Sequence, residues 1–351
     1  MTPIMVRSAR SLLVGGLLAI IAALVFLPLR VGGLRSHPRP VADYAAAVAR
    51  FESMRTLEAG VVSEYGASRL LTHGAKAPKV ALLLHGLTAS PWQFDSLGAA
   101  LFKLGYNVLI PRLPLHGERG RDVSVLNGLT AEKYRDLADG SVDIALGLGD
   151  TLDVIGLSGG ATAAAWIAQF RSRLHRVLII APALGVAHVP GMLGDPVAQA
   201  AARLPNVTVH QGGEVPRPHV YAGFSTHAVA QTMRLGGAVF DAALRDAPRA
   251  DAIVLITNGA DHTIDNAKVA ALATLWERRG ARVTRFEFDA ALGLTHDVID
   301  PTEPCGDTAI VYPVLITLLD GRGKPFIAKT RTRERSCART SAIAPAPRTT
   351  R

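Results

Sequence analysis

The sequence predicts an α/β fold with a mostly parallel central sheet and helices on both faces. Short runs of uninterrupted apolar residues recur along the chain, as they do in strands buried on both sides. Each is followed by helical sequence, and repeated β-α units of this kind form a parallel sheet between helices. A third observation is the turn Gly156-Leu157-Ser158-Gly159-Gly160, which joins one such run to an alanine-rich helix.

The elements follow in order. After a linker, Tyr44 to Leu57 reads as a helix. Lys79-Val80-Ala81-Leu82-Leu83-Leu84 is a buried strand that ends at His85-Gly86-Leu87-Thr88-Ala89-Ser90-Pro91, where a helix through Lys103 begins. Tyr106 to Pro111 is the next strand, and Thr130 opens a helix that runs to about Leu148. Leu152-Asp153-Val154-Ile155 leads into the glycine turn and the helix Ala161 to Phe170. Further strands are Arg176 to Ala181, Ala252 to Thr257 and Val283 to Phe288. Between Leu184 and Ala250 no strong strand appears, and prolines and glycines are frequent. Helical pieces at Val197 to Arg203 and Thr226 to Leu244 lie inside this interval. An insertion of that length after a sheet strand predicts a cap over the domain, at about 185–250.

The two ends differ from the middle. The net charge of +9 is concentrated there: residues 1–40 hold five Arg and no acid, and residues 322–351 hold nine Lys or Arg and one Glu. Residues 41–321 keep 24 basic and 28 acidic residues, a net −4. With few aromatics and no basic-aromatic stripe, nucleic acid is excluded as a partner. Ser11 to Leu29 is 19 residues without a charge, flanked by Arg7, Arg10 and Arg30. At about 1.5 Å per residue it spans roughly 28 Å, enough for a hydrocarbon core. Pro28-Leu29-Arg30 is not a small-x-small cleavage site. Residues 1–40 are therefore expected to be an uncleaved signal anchor and linker. The protein is expected to be membrane-anchored through this N-terminal helix, its domain on the extracytoplasmic side. Residues 322–351 lack apolar periodicity and are expected to be a disordered basic tail. Cys337 lies in that tail, which argues against a structural disulfide with Cys305. No C-x-x-C or H-E-x-x-H spacing occurs, so neither a metal nor another cofactor is expected.

The glycine turn has a physical reading. A serine between a strand and a helix, with small residues on both sides, is held on a strained bend with its hydroxyl presented. The alternative is a glycine-rich turn whose serine caps the helix.

His85-Gly86-Leu87 after a strand, then Gly-Leu-Ser-Gly-Gly, then Asn258-Gly259-Ala260-Asp261 after a strand, then Gly293-Leu294-Thr295-His296-Asp297, together resemble the α/β-hydrolase fold. Within it, residues 60–320 are most similar to bacterial carboxylesterase and monoacylglycerol lipase-like serine hydrolases with a small cap. The resemblance makes 41–321 an α/β-hydrolase domain. Gly159 is a departure, because relatives often carry Met or Gln after the nucleophile.

The resemblance implies roles. Ser158 is the nucleophile and His296 the base that takes its proton. Asp261, in the chain order Ser, Asp, His, holds the base in one tautomer. Asp265 competes for that role but fits a helix N-terminus better. The backbone N–H groups of Leu87 and Gly159 form the oxyanion hole. Gly86 allows the loop to approach, His85 shapes it, and His116 lines the entrance. Met192, in the cap, is among the apolar side chains available to an acyl chain.

The expected activity is therefore serine carboxylic ester hydrolysis through an acyl-enzyme on Ser158. The same residues fit an aminopeptidase, thioesterase or acyltransferase. A different class of reading is a membrane-tethered binding protein on an inactive hydrolase scaffold.

Overall fold

The computed structural model describes residues 15, 16, 19, 25–187, 191–210 and 217–321. Most of the expected anchor Ser11 to Leu29, and the whole tail 322–351, lie outside the described residues. Among those described, no helix is long and apolar enough to cross a membrane.

The sheet elements are β1 (Arg69–Leu71), β2 (Ala77–Leu84), β3 (Tyr106–Ile110), β4 (Gly149–Leu157), β5 (Arg176–Ile180), β8 (Ile253–Asn258) and β9 (Val283–Phe288). They lie in the order β1-β3-β2-β4-β5-β8-β9. β1 is antiparallel to β3, and the other neighbours are parallel. Val80 to Leu84 of β2 are fully buried, as their uninterrupted apolar run requires. The short edge strand β1 was not legible in the sequence.

Helices cover this sheet: α1 (Tyr44–Glu58), α2 (Asp95–Lys103), α3 (Ala131–Leu148), α4 (Gly159–Phe170), α7 (Asn266–Arg278) and α8 (Thr308–Asp320). Thr130 opens α3 as expected, its side chain accepting from Lys133 N at 3.2 Å and filling one of the orphan donors of the first turn.

The 184–250 interval contains α5 (Gly191–Arg203), the antiparallel pair β6 (Thr208–His210) and β7 (Gly223–Ser225), and α6 (Thr226–Ala243). α6 packs along α4, and its Leu235 and Val239 are fully buried. This part of the insertion is therefore built into the core. β6 and β7, three residues each, carry no alternation long enough to predict.

Part of the expected linker is also built in. Leu34 is fully buried, and its carbonyl accepts from Trp166 Nε1 at 2.7 Å. Ser36 Oγ and His37 N donate to Asp139 at 2.5 and 2.6 Å, and Arg39 N donates to Asp143 at 2.7 Å. The buried Arg171 guanidinium bridges both carboxylates, at 2.7 and 2.5 Å. Cys305, expected to be unbridged, is disulfide-bonded.

The strand order places the site. The chain leaves β2 to one side for β3, then crosses back past β2 to form β4. The loops after β2 and β4 therefore part at the carboxyl edge, where open α/β sheets bind ligands.

Candidate active site

Ser158 sits between β4 and α4 with φ 55° and ψ −115°, a backbone that side-chain-bearing residues rarely adopt. The bend is overdetermined. Ser158 N donates to Ile180 O at 2.9 Å, and its carbonyl accepts from Thr162 N at 3.0 Å and Ala183 N at 3.2 Å. A β-carbon at Gly156 would lie 2.4 Å from Gly160 O, and one at Gly160 would lie 2.1 Å from Leu84 O. Both glycines are needed for helix and strands to approach this closely. The Ser158 side chain makes no capping bond, so the helix-cap alternative is excluded.

The loop after β2 lies against this bend. Leu87 N is 3.0 Å from the position of a β-carbon on Gly159, so the two expected oxyanion amides are neighbours. Ser158 Cβ is 3.6 Å from the corresponding point on Gly86, the close approach expected there.

His85 and His116 are both fully buried, so His116 does not line an entrance, and His85 acts on the loop through its hydrogen bonds. His85 Nε2 accepts from Leu113 N at 3.0 Å, while Nδ1 donates to Gly86 O at 2.9 Å. That pair of bonds describes a neutral imidazole splinting two loops. Burial, aided by the charge of His116, lowers its pKa well below the ordinary value. His116 Nδ1 donates to Pro114 O at 2.9 Å, and burial lowers its pKa to about 4. The Met192 side chain lies outside the described residues.

Asp261 and His296 meet directly. His296 Nδ1 donates to Asp261 Oδ2 at 2.6 Å. Asp261 Oδ1 accepts from Thr263 N at 2.7 Å. Asn258, at the end of β8, ties the two loops together: its Nδ2 donates to Leu294 O and Thr295 O, both at 2.9 Å, and its Oδ1 accepts from Ala260 N at 3.0 Å. Burial raises the Asp261 pKa, but the His296 hydrogen bond and charge and the Thr263 bonds outweigh it, so the net shift is downward. For His296, burial pulls the pKa down, yet the bond to Asp261 and the charges of Asp261, Asp297 and Glu303 carry it upward. Asp265, the rival carboxylate, caps α7 by accepting from Ala267 N and Lys268 N.

Among the described residues, the Ser158 hydroxyl forms no direct hydrogen bond to His296; catalytic bonds of this kind often tighten only with substrate. What links the two halves is a residue absent from the sequence reading. Gln93 Oε1 accepts from Gly86 N at 2.8 Å, and Gln93 Nε2 donates to Asp297 Oδ2 at 2.8 Å. Arg217, from the insertion, reaches the same loop: its Nη1 lies 3.2 Å from Asp297, 3.1 Å from Asp300 and 2.7 Å from Glu303. The contacts to Asp297 span 80 and 204 residues and leave no local pattern, although Asp297 was visible as the neighbour of His296.

An open cavity of about 660 Å³ is lined by Arg55, Glu58, Tyr65, Arg119, Arg121 and Pro218. None of Ser158, Asp261 and His296 lines it. Among the described residues, no cluster of His, Cys, Asp or Glu could hold a metal ion.

The sequence model of the Alpha/beta hydrolase family matches residues 81–309, from the middle of β2 to the start of α8. The chain belongs to the alpha/beta hydrolase family. No curated protein matches the sequence. Among solved structures, the hydrolase is similar to one described with the metagenome-derived lipolytic enzymes LipS and LipT (TM-score 0.55, 18% identity, covering 74% of this chain and 99% of that one). It is also similar to the monoacylglycerol lipase of Paleococcus ferrophilus (0.54, 17%, 73% and 98%). DcsB in complex with its substrate analogue is a further neighbour (0.51, 14%, 72% and 93%). At these identities the likeness is one of fold.

Proposed function

We propose that the protein hydrolyses carboxylic esters through an acyl-enzyme on Ser158. The observation that carries this reading is the 2.6 Å bond between His296 and Asp261, on loops at the same sheet edge as the strained Ser158 bend. His296 takes the Ser158 proton as Oγ bonds to the ester carbonyl carbon, and the carbonyl oxygen becomes an oxyanion facing the N–H groups of Leu87 and Gly159. Collapse breaks the bond to the alkoxy group, which leaves as the alcohol with the proton from His296. Water, deprotonated by the same imidazole, then attacks the acyl-serine and releases the acid. Asp261 keeps the Nδ1 proton in place and stabilises the imidazolium. Each oxyanion donor is worth about 3 kcal/mol in reactions of this type.

The lipolytic enzyme and the monoacylglycerol lipase among the similar folds support a lipid-like ester as substrate. Ser158→Ala is expected to abolish hydrolysis of p-nitrophenyl butyrate and labelling by a fluorophosphonate. Undiminished turnover in that variant refutes the nucleophile. A wild-type protein that neither hydrolyses esters nor takes up the probe favours the inactive-scaffold reading.

We further propose that Ser11 to Leu29 anchors the domain to a membrane, on the extracytoplasmic side. Support comes from the 19 uncharged residues alone. The full chain is expected in a detergent-extractable membrane fraction that resists high salt; release by salt refutes an inserted anchor.

A further inference from the structure

Gln93 lies in the short turn Pro91–Phe94, between the expected oxyanion loop and α2, and is buried. Its two bonds fix the amide orientation. Gly86 N–H can only donate, so Oε1 must face it. Asp297, a carboxylate, accepts from Nε2. A primary amide serves both at once, whereas a carboxylate or a thioether of the same length does not. The far partner is itself rigid: Asp297 Oδ1 accepts from Ile299 N at 3.3 Å and Asp300 N at 3.2 Å. The residue before Asp297 is His296, and the residue after Gly86 is Leu87.

We propose that Gln93 is a positioning residue: it sets the separation between the loop that presents the Leu87 N–H and the loop that presents His296, so that donor and base reach one carbonyl together. The proposal rests on the roles given to Ser158 and His296 above. Without the amide, Gly86 N–H loses a buried partner and Asp297 loses a donor. Both loops then relax independently, and a displacement of about 1 Å in a reacting geometry can cost on the order of 100-fold in rate.

Gln93→Glu and Gln93→Met test it. The charged groups facing position 93 are Asp297, the Arg217 guanidinium that shares its carboxylate, and beyond it Asp300 and Glu303. His296 with Asp261 stands on the same side, His85 lies beside Gly86, and Asp95 follows in its own segment. In Gln93→Glu, a protonated carboxyl accepts from Gly86 and donates to Asp297; an ionised one faces Asp297 with no proton between them. The ratio of kcat/KM for Gln93→Glu to that of the wild type on p-nitrophenyl butyrate is therefore expected to fall at least about tenfold between about pH 5.5 and about pH 8.5. Gln93→Met is expected to lose about 10- to 100-fold in kcat with KM within about threefold. A ratio that is flat with pH overturns the proposal, because a residue that merely supports folding gives that result. Wild-type kcat in Gln93→Met overturns it as well. The imidazole titration of His296, followed by NMR, reads the same coupling without turnover. Its midpoint is expected to rise by about half a pH unit or more in Gln93→Met, as Asp297 loses its donor. If the wild type hydrolyses no ester, the ester reading fails while an unshifted midpoint still rejects the strut and a raised one still supports it.

Discussion

The hydroxyl of Tyr134 lies 3.0 Å from the point that a β-carbon on Gly159 would occupy. Leu87 N is equally close, and Leu87 Cβ is 3.1 Å away. One small volume is thus shared by a helix tyrosine, the Leu87 loop and the residue after Ser158. The glycine that departs from the related sequences is matched by a large side chain in the space it leaves.

Gly159→Ala must therefore push the Leu87 backbone or Tyr134. We expect a stability loss of about 1–3 kcal/mol in urea denaturation, typical of overpacking, and a fall in kcat of about tenfold or more as the Leu87 N–H moves. Adding Tyr134→Phe is expected to restore part of the stability and little of the rate, because the contact with the Leu87 backbone persists.

Asp261→Asn keeps the shape but removes the charge that holds the Nδ1 proton of His296. A fall in kcat of about 10⁴-fold is expected, the scale seen when a triad carboxylate is neutralised. Steady-state kinetics with a fluorophosphonate-titrated enzyme concentration gives the measurement.

The acid limb of the pH profile follows from His296, which must be neutral to act as a base. Its pKa is raised above the ordinary 6.5, so kcat/KM is expected to decline with a midpoint above that value as pH falls. Asp297→Asn removes a negative neighbour and is expected to move that midpoint down. The linked stabilities have opposite signs. The raised His296 value contributes stability that is fully present below about 6.5 and is lost as pH rises through the folded value. The lowered Asp261 value contributes stability that is present above about 3.8 and is lost as pH falls through the folded value. Urea midpoints across the pH range test both.

Arg171 neutralises Asp139 and Asp143 with all three side chains buried. Arg171→Met leaves buried Asp139 without its cation and Asp143 with only Arg50, 3.6 Å away, and a loss of about 3–5 kcal/mol is expected in denaturant unfolding. The N-terminal segment that bonds to the same carboxylates should become sensitive to proteolysis in this variant.

The parallel strands were legible because burial on both faces demands apolar runs, as in Val80 to Leu84 of β2 and Val177 to Ile180 of β5. The order of Ser158, Asp261 and His296 was legible because each lies just past a strand. β1 and the β6–β7 pair were not: strands of three residues are too short to carry a period. His116 was misplaced because sequence does not distinguish a histidine at a pocket mouth from one buried beneath a loop. Gln93 was invisible for a different reason. Its partners, Gly86 and Asp297, lie seven and 204 residues away, and an amide between two loops leaves no repeat to read.

The carboxylates around His296 also bear on the end of the reaction. Asp261, Asp297, Asp300 and Glu303 lie on or beside this loop, with the Arg217 guanidinium against three of them and His219 Nε2 against Asp300. An ester arrives there uncharged, but the acid released from it is an anion. In the proposed reaction, repulsion of like charges then weakens rebinding of the acid and speeds its release.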